Sequence, residues 1–372
     1  MADLVLTFVT TGLLLALWAL AVAADGGEPT PHYRLKARLD PARHRLAAGV
    51  LVERPPSATC YLHKALVVHR ATADGKEVAF HREEAADPLP YAPAASAVAV
   101  EARDLQQLSL TYAGKMSGTI NDVNMIGPGL VELASYSAWY PIFQGLANFT
   151  FEMELEAPAG FVTVTNGVLK DRREEGGHVA TAWESAGPGF DMVLLASPDL
   201  RILQGAAGDT CVEMYYSRLS SEFMRGMRDG LVAGMEQLSR AYGPPAGRGV
   251  LRFACSPRGG WGYSRAPLFV VSEAHTKAES GKAHGEARQF HGYAHEMAHF
   301  WWQTQLLPRT GSTRGRRSTP PSASPRRAIP TSPQSCCRST SNTSKPPRRL
   351  RPSRTPRPPP PTAMPIAMRR PH

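Results

Sequence analysis

Between His32 and about Leu203, apolar and polar residues alternate in short runs, the period-two signature of half-buried β-strands. Val50-Leu51-Val52, Ala65-Leu66-Val67-Val68, Ala97-Val98-Ala99-Val100, Leu108-Ser109-Leu110-Thr111-Tyr112 and Val162-Thr163-Val164-Thr165 are the clearest of them. Gly, Asn, Asp and Pro clusters between the runs signal turns. No helix-period stretch and no repeat of fixed length interrupts the series, so the region predicts an antiparallel β-sandwich.

After Asp209 the period changes. From Tyr216 to Tyr242 the apolar residues Leu219, Phe223, Met227, Leu231, Met235 and Leu238 fall three and four apart, which predicts a helix stopped by Gly243-Pro244-Pro245. Strands are expected at Val250-Leu251-Arg252-Phe253-Ala254 and Leu268-Phe269-Val270-Val271-Ser272, and a second helix from about Glu286 to Leu306. The expected fold is therefore α+β and multidomain, with a sandwich over residues 28–205 and a mixed helix–strand unit over 206–307.

Charge changes the picture only when it is located. The chain of 372 residues carries a formal net charge of +10, which raises the question of a polyanionic partner. Residues 308–372 hold 15 Lys and Arg and no acid, leaving 27 basic against 32 acidic groups before them, a net of −5. The globular part is mildly acidic, and specific nucleic-acid binding is not expected of it. The same tail holds 16 of the 33 prolines and no Phe, Trp or Tyr, so it cannot build a core and is expected to be disordered. A basic arm for polyanions is one reading of this tail.

At the other end, Leu4 to Ala24 is apolar apart from Thr residues and Gly12, and closes on Ala21-Val22-Ala23 before Asp25. That pattern predicts an export signal over residues 1–24, placing the chain in a periplasmic or extracellular setting, or else an uncleaved membrane anchor. The run has no basic start, Asp3 being its only early charge. Cys60, Cys211 and Cys255 in the body, and Cys336 and Cys337 in the tail, match neither a zinc ribbon nor a disulfide framework, and the body cysteines are expected as buried thiols.

Chemistry concentrates in His295-Glu296-Met297-Ala298-His299. On a helix, His295 and His299 lie one turn apart on one face, where two neutral imidazoles can share a Zn²⁺. Glu296 then stands beside the open coordination position as a base for a water. A histidine pair that merely packs or hydrogen-bonds is the competing reading. Phe300-Trp301-Trp302, directly after the motif, can anchor such a helix in a core. His291, one turn earlier, reads as a polar neighbour, and His284 in a Gly-rich connector as solvated.

His295 to Trp302 resembles the zinc helix of the aminopeptidase N-like gluzincins, metallopeptidases with a β-sandwich ahead of a thermolysin-like catalytic domain. Trp139-Tyr140-Pro141 resembles a segment of that family's sandwich, and Glu154 to Gly167 its following hairpin, so the likeness covers roughly residues 32–307. It implies a partial thermolysin-like domain over 206–307, Zn²⁺ as cofactor, His295 and His299 as metal ligands, Glu296 as catalytic base, and a peptide or protein substrate.

Two departures stand out. Exopeptidases of the family carry a Gly-x-Met-Glu-Asn edge strand whose Glu binds a free amino terminus. The corresponding stretch here, Gly259 to Arg265, has no acid. Gly260, Trp261, Gly262 and Tyr263 are its candidates for substrate contact, against the plainer reading of a turn with a packed Trp. The family's third zinc ligand is a Glu in an Asn-Glu-Gly context on the next helix, and after Leu307 this chain has no Glu. An excess of Arg, Pro, Ser and Thr is typical of GC-rich DNA read out of frame. Thr310-Gly311-Ser312-Thr313-Arg314-Gly315 can be encoded by bases that, read one position earlier, give Asp-Trp-Ile-Asn-Glu-Gly. The expectation is a zinc-dependent metallopeptidase truncated and frameshifted after about residue 307, with impaired activity for want of the third ligand. The alternatives are a native basic tail and a non-catalytic secreted binding module with a degenerate peptidase remnant.

Overall fold

The computed structural model describes residues 30–83, 89, 91–118, 124–145, 148–245, 249–260, 262–273 and 285–301. The expected export signal, the basic tail, Trp261 and His284 lie outside the described residues, as does the side chain of His291. Among the described residues no helix is long and apolar enough to cross a membrane.

The first strands are β1 (His32–Asp40), β2 (Arg45–Glu53), β3 (Thr59–His63), β4 (Leu66–Ala73), β5 (Lys76–Glu77), β6 (Phe80–Glu83) and β7 (Ala95–Val100). They are followed by β8 (Gln107–Lys115), β9 (Met125–Gly127), β10 (Leu130–Leu133), β11 (Thr150–Pro158), β12 (Val162–Thr165), β13 (Gly167–Glu175), β14 (His178–Ser185) and β15 (Leu194–Ser197). The rest of the chain gives β16 (Arg201–Ala207), β17 (Thr210–Tyr216), α1 (Ser221–Tyr242), β18 (Val250–Ser256), β19 (Tyr263–Arg265), β20 (Leu268–Ser272) and α2 (Gly285–Ala298). The architecture is α+β, as the change of period predicts.

An eight-stranded sheet, in order β13-β14-β11-β1-β2-β8-β4-β5, faces a three-stranded sheet, β3-β7-β6, and a four-stranded one, β12-β15-β10-β9. Alternate residues of β1 show why: Tyr33, Leu35, Ala37 and Leu39 are buried while Arg34, Lys36 and Arg38 are exposed. The inward set meets Cys60, Leu62, Val98, Val131, Leu133 and Leu194 from the smaller sheets in one core. The sandwich is not wholly antiparallel. β1 pairs with β11 in parallel register, His32 beside Thr150 through Arg38 beside Glu156. Such a pair needs a long crossover, which the eight strands and their loops between β2 and β11 supply.

The second sheet runs β16-β17-β18-β20-β19, with β17, β18 and β20 parallel and β16 and β19 antiparallel at its two edges. It begins at Arg201, a few residues ahead of the expected change at 205–206. The first helix starts at Ser221 rather than Tyr216, because Thr210–Tyr216 is a strand buried on both faces. Ser220 caps the helix, its side chain accepting from Phe223 N at 3.1 Å. The second helix stops at Ala298 instead of running to Leu306. Phe300 N and Trp301 N bond three residues back, to Met297 O and Ala298 O, a tight final turn that leaves the α-helical ladder.

The three body cysteines are buried thiols, none of them in a disulfide. Burial pushes the Cys60 thiol up to about 12 and raises Cys255 as well. Iodoacetamide at pH 8 is therefore expected to leave Cys60, Cys211 and Cys255 unmodified in the native chain and to label all three in denaturant. Peptide mapping checks this, and native labelling of any of them would contradict the packing.

Candidate metal centre and its edge strand

Helix α2 is amphipathic in a way that fixes where its histidines go. Tyr293, Met297 and Phe300 form its buried stripe, at spacings of four and three, against the second sheet. Tyr293 meets Phe253 of β18 with ring centroids 5.0 Å apart, and Phe300 lies 5.9 Å from Phe269 of β20. Trp301 ties the last turn to the end of α1, its Nε1 donating to Gly243 O at 2.7 Å. His295 and His299 each lie two residues beyond a member of this stripe, roughly 200° round the helix. The stripe is anchored in the core, and the histidines are turned away from it.

The two imidazoles stand edge to face with centroids 5.0 Å apart. His295 is exposed, while Glu296 and His299 are half-buried. Desolvation raises the Glu296 carboxyl above its ordinary value, partly offset by His299, His295 and Arg265. Gly262 lies close to Glu296, and it is the backbone of β20 that leaves no room for a side chain there. A Cβ on Gly262 would stand 2.9 Å from Val270 O, 3.1 Å from Val271 Cγ1 and 3.5 Å from Glu296 Oε1. The base thus packs against the residue that leads into β19, the edge of the second sheet.

The donor set fits a tetrahedral metal only in part. Two imidazoles one turn apart supply two positions. No group of three or more His, Cys, Asp or Glu placed to hold a metal occurs among the described residues.

The sequence candidates on the edge divide. Gly262 stands near Glu296, and Gly260 is exposed with φ at +78°. Tyr263 is buried, and its hydroxyl donates to Glu132 Oε1 at 3.1 Å, so it serves the packing of the strand. The residues that hold the edge in place were not among the candidates. Glu132 of β10 also accepts from Ser256 Oγ at 2.5 Å and Arg258 Nε at 2.9 Å. Asp191 accepts from Arg265 Nε at 2.7 Å, Ser135 N at 2.8 Å, Ser135 Oγ at 2.9 Å and Tyr140 OH at 3.1 Å. Arg252 of β18 donates to Glu213 Oε2 at 2.8 Å and to Gly167 O of the sandwich. Burial works against the charge on Arg252, but Glu213 and Tyr215 together outweigh it and the guanidinium pKa ends up raised. Three arginines following one another along the second sheet therefore each find an acceptor on the sandwich. One sequence signal was available: Glu132 and Asp191 are lone acids beside apolar runs, Val131/Leu133 and Met192 to Ala196.

No protein-family model matches the chain, and no curated protein matches it in sequence. Solved structures do match. The M1 zinc metallopeptidase from Deinococcus radiodurans is 18% identical, with a TM-score of 0.58 over 75% of this chain and 65% of its own. A variant of the Deinococcus enzyme bound to a Tyr-Ser-Ala substrate is also 18% identical, with a TM-score of 0.56 over 75% and 66%. An aminopeptidase N family protein from Idiomarina loihiensis is 13% identical, with a TM-score of 0.53 over 75% and 51%. The chain spans just under two thirds of the length of the first of these and about half of the last. At these identities what is shared is architecture: the chain has the fold of the M1 zinc metallopeptidases.

Proposed function

We propose that this chain carries the ligand-bearing half of a zinc-dependent peptidase centre, with peptides as its substrate class. The observation that carries the reading is the pairing of His295 and His299 beside Glu296, which in turn lies against the edge strand at Gly262. In this reading His295 and His299 hold Zn²⁺. Bound there, the ion would supply a Lewis acid for the peptide carbonyl and an acidified water. Glu296 is the group placed to take a proton, and its raised pKa suits that task. Among the described residues the edge strand β19 pairs only with β20, and its other side is where an extended peptide backbone would pair. The tie to peptides draws on the fold and on the Tyr-Ser-Ala complex of the Deinococcus variant. Export, read from the apolar N-terminal run, belongs to the same proposal.

Two histidines leave zinc short of the three protein ligands a hydrolytic site uses, and the chain has no Glu after Leu307. A chain frameshifted beyond that point, as the tail composition suggests, binds zinc weakly and hydrolyses little. Calorimetric titration of Zn²⁺ into the full chain is expected to give weak binding that His295→Ala abolishes. Peptide amides and quenched internal peptides are expected to turn over no faster than with Glu296→Ala. Tight stoichiometric zinc with turnover lost in Glu296→Ala would overturn the impairment. Zinc binding indifferent to His295→Ala would remove the metal centre. The absence of a three-donor group among the described residues favours a second reading, a non-catalytic peptide-binding module. Its signature is peptide binding without metal or turnover.

A further inference from the structure

We infer that the edge strand β19 contributes to a cation-binding cage already filled by the chain's own Arg265, so that peptides are recognised there without a contribution from a free amino terminus. The inference rests on the peptide-cleft reading above for its ligand class, but the cage itself is read from side-chain geometry.

The guanidinium of Arg265 lies 4.5 Å from the ring centroid of Phe190, 5.3 Å from that of Tyr136 and 5.5 Å from that of Tyr263. Its NH2 donates to Tyr136 OH at 2.9 Å and its Nε to Asp191 Oδ2 at 2.7 Å. Aromatic faces plus a carboxylate are the chemistry that receives an alkylammonium or guanidinium group. Tyr136, Phe190 and Asp191 all come from the sandwich side, and Asp191 is fixed there without Arg265. Ser135 N, Ser135 Oγ and Tyr140 OH hold it, and its side chain has no solvent exposure. The receptor half is therefore built in advance, and the second sheet supplies the cation.

The cage also adjoins the candidate centre. Arg265 closes the strand that Gly262 leads into, and Gly262 lies close to Glu296. An incoming ammonium would have to displace a guanidinium that is 11% exposed and hydrogen-bonded through each of its nitrogens. Burial opposes the charge on Arg265, yet Asp191 and Tyr136 hold it firmly protonated. The edge is thus closed to a terminal amine and open to backbone pairing.

Binding by the full chain tests this, using one alanine-rich pentapeptide amide in free-amine and N-acetyl forms. Wild type is expected to bind the two within about twofold of each other. Arg265→Ala is expected to prefer the free-amine form by about tenfold, and to bind N-ethylguanidinium with a saturable rise in melting temperature that wild type does not show. Arg265→Lys keeps a cation in the cage and is expected to match wild type. A wild type that prefers the free-amine peptide by about tenfold overturns the inference, as does a folded Arg265→Ala chain that takes up neither cation. The wild-type comparison stands even if the alanine variant does not fold. Should wild type bind neither peptide, the peptide-cleft reading fails, while the ethylguanidinium titration still decides the cage.

Discussion

Replacing Glu132 by alanine lowers the stability of the full chain by about 3–5 kcal/mol, read as a fall in the urea midpoint at unchanged slope. Glu132 lies on β10 between Val131 and Leu133 and has no exposure. It accepts from Ser256 Oγ, Arg258 Nε and Tyr263 OH, all on the second sheet's side of the seam. Its loss removes the counter-charge of the Arg258 guanidinium, whose side chain is 4% exposed and which keeps Gly259 O as an acceptor. The penalty is that of a buried charge without a counter-charge, larger than the worth of any one of the three bonds. Glu132→Gln keeps the shape and an acceptor oxygen and is expected to cost about 1–2 kcal/mol. An alanine variant within about 1 kcal/mol of wild type would show that the seam tolerates an open network.

That seam marks the limit of what the sequence discloses. Local patterns were readable. Val162–Thr165 and Leu268–Ser272 appear as strands with the bounds their alternation and apolar runs predict. The four-residue spacing of His295 and His299 brought their rings together as expected. Tyr216 and Leu219 continue the three-and-four spacing by accident, so the pattern places the start of α1 too early. The signal that decides is Ser220, whose side chain satisfies an otherwise free N–H. The parallel pairing of β1 with β11 leaves no local trace, since the paired residues His32 and Thr150 are far apart in the chain. Glu132 and Asp191 escape a local pattern for a related reason. A lone acid in an apolar run announces a buried partner without naming it, and the partners Arg258 and Arg265 come from the other side of the fold.

The same coupling makes Trp139 the second position of large expected effect, although it is remote from the histidines. Trp139 has no exposure; its ring meets Tyr140 edge to face at 5.5 Å, and its Nε1 donates to Met192 O at 3.1 Å. Met192 follows Asp191, so the indole holds the segment that presents Asp191 to Arg265. Trp139→Ala removes one of the two buried tryptophans of this core and leaves the Met192 carbonyl without its indole donor. The expected loss is about 3–5 kcal/mol. Trp139→Phe fills most of the volume but still lacks the indole donor, and should cost about 1–3 kcal/mol. If Asp191 depends on this support, the phenylalanine variant will also acquire part of the free-amine preference expected of Arg265→Ala, because a displaced carboxylate loosens the guanidinium from its cage. A phenylalanine variant that loses stability yet binds both peptide forms like wild type would separate the core from the cage. In that case Ser135 and Tyr140 alone would suffice to hold Asp191 in place.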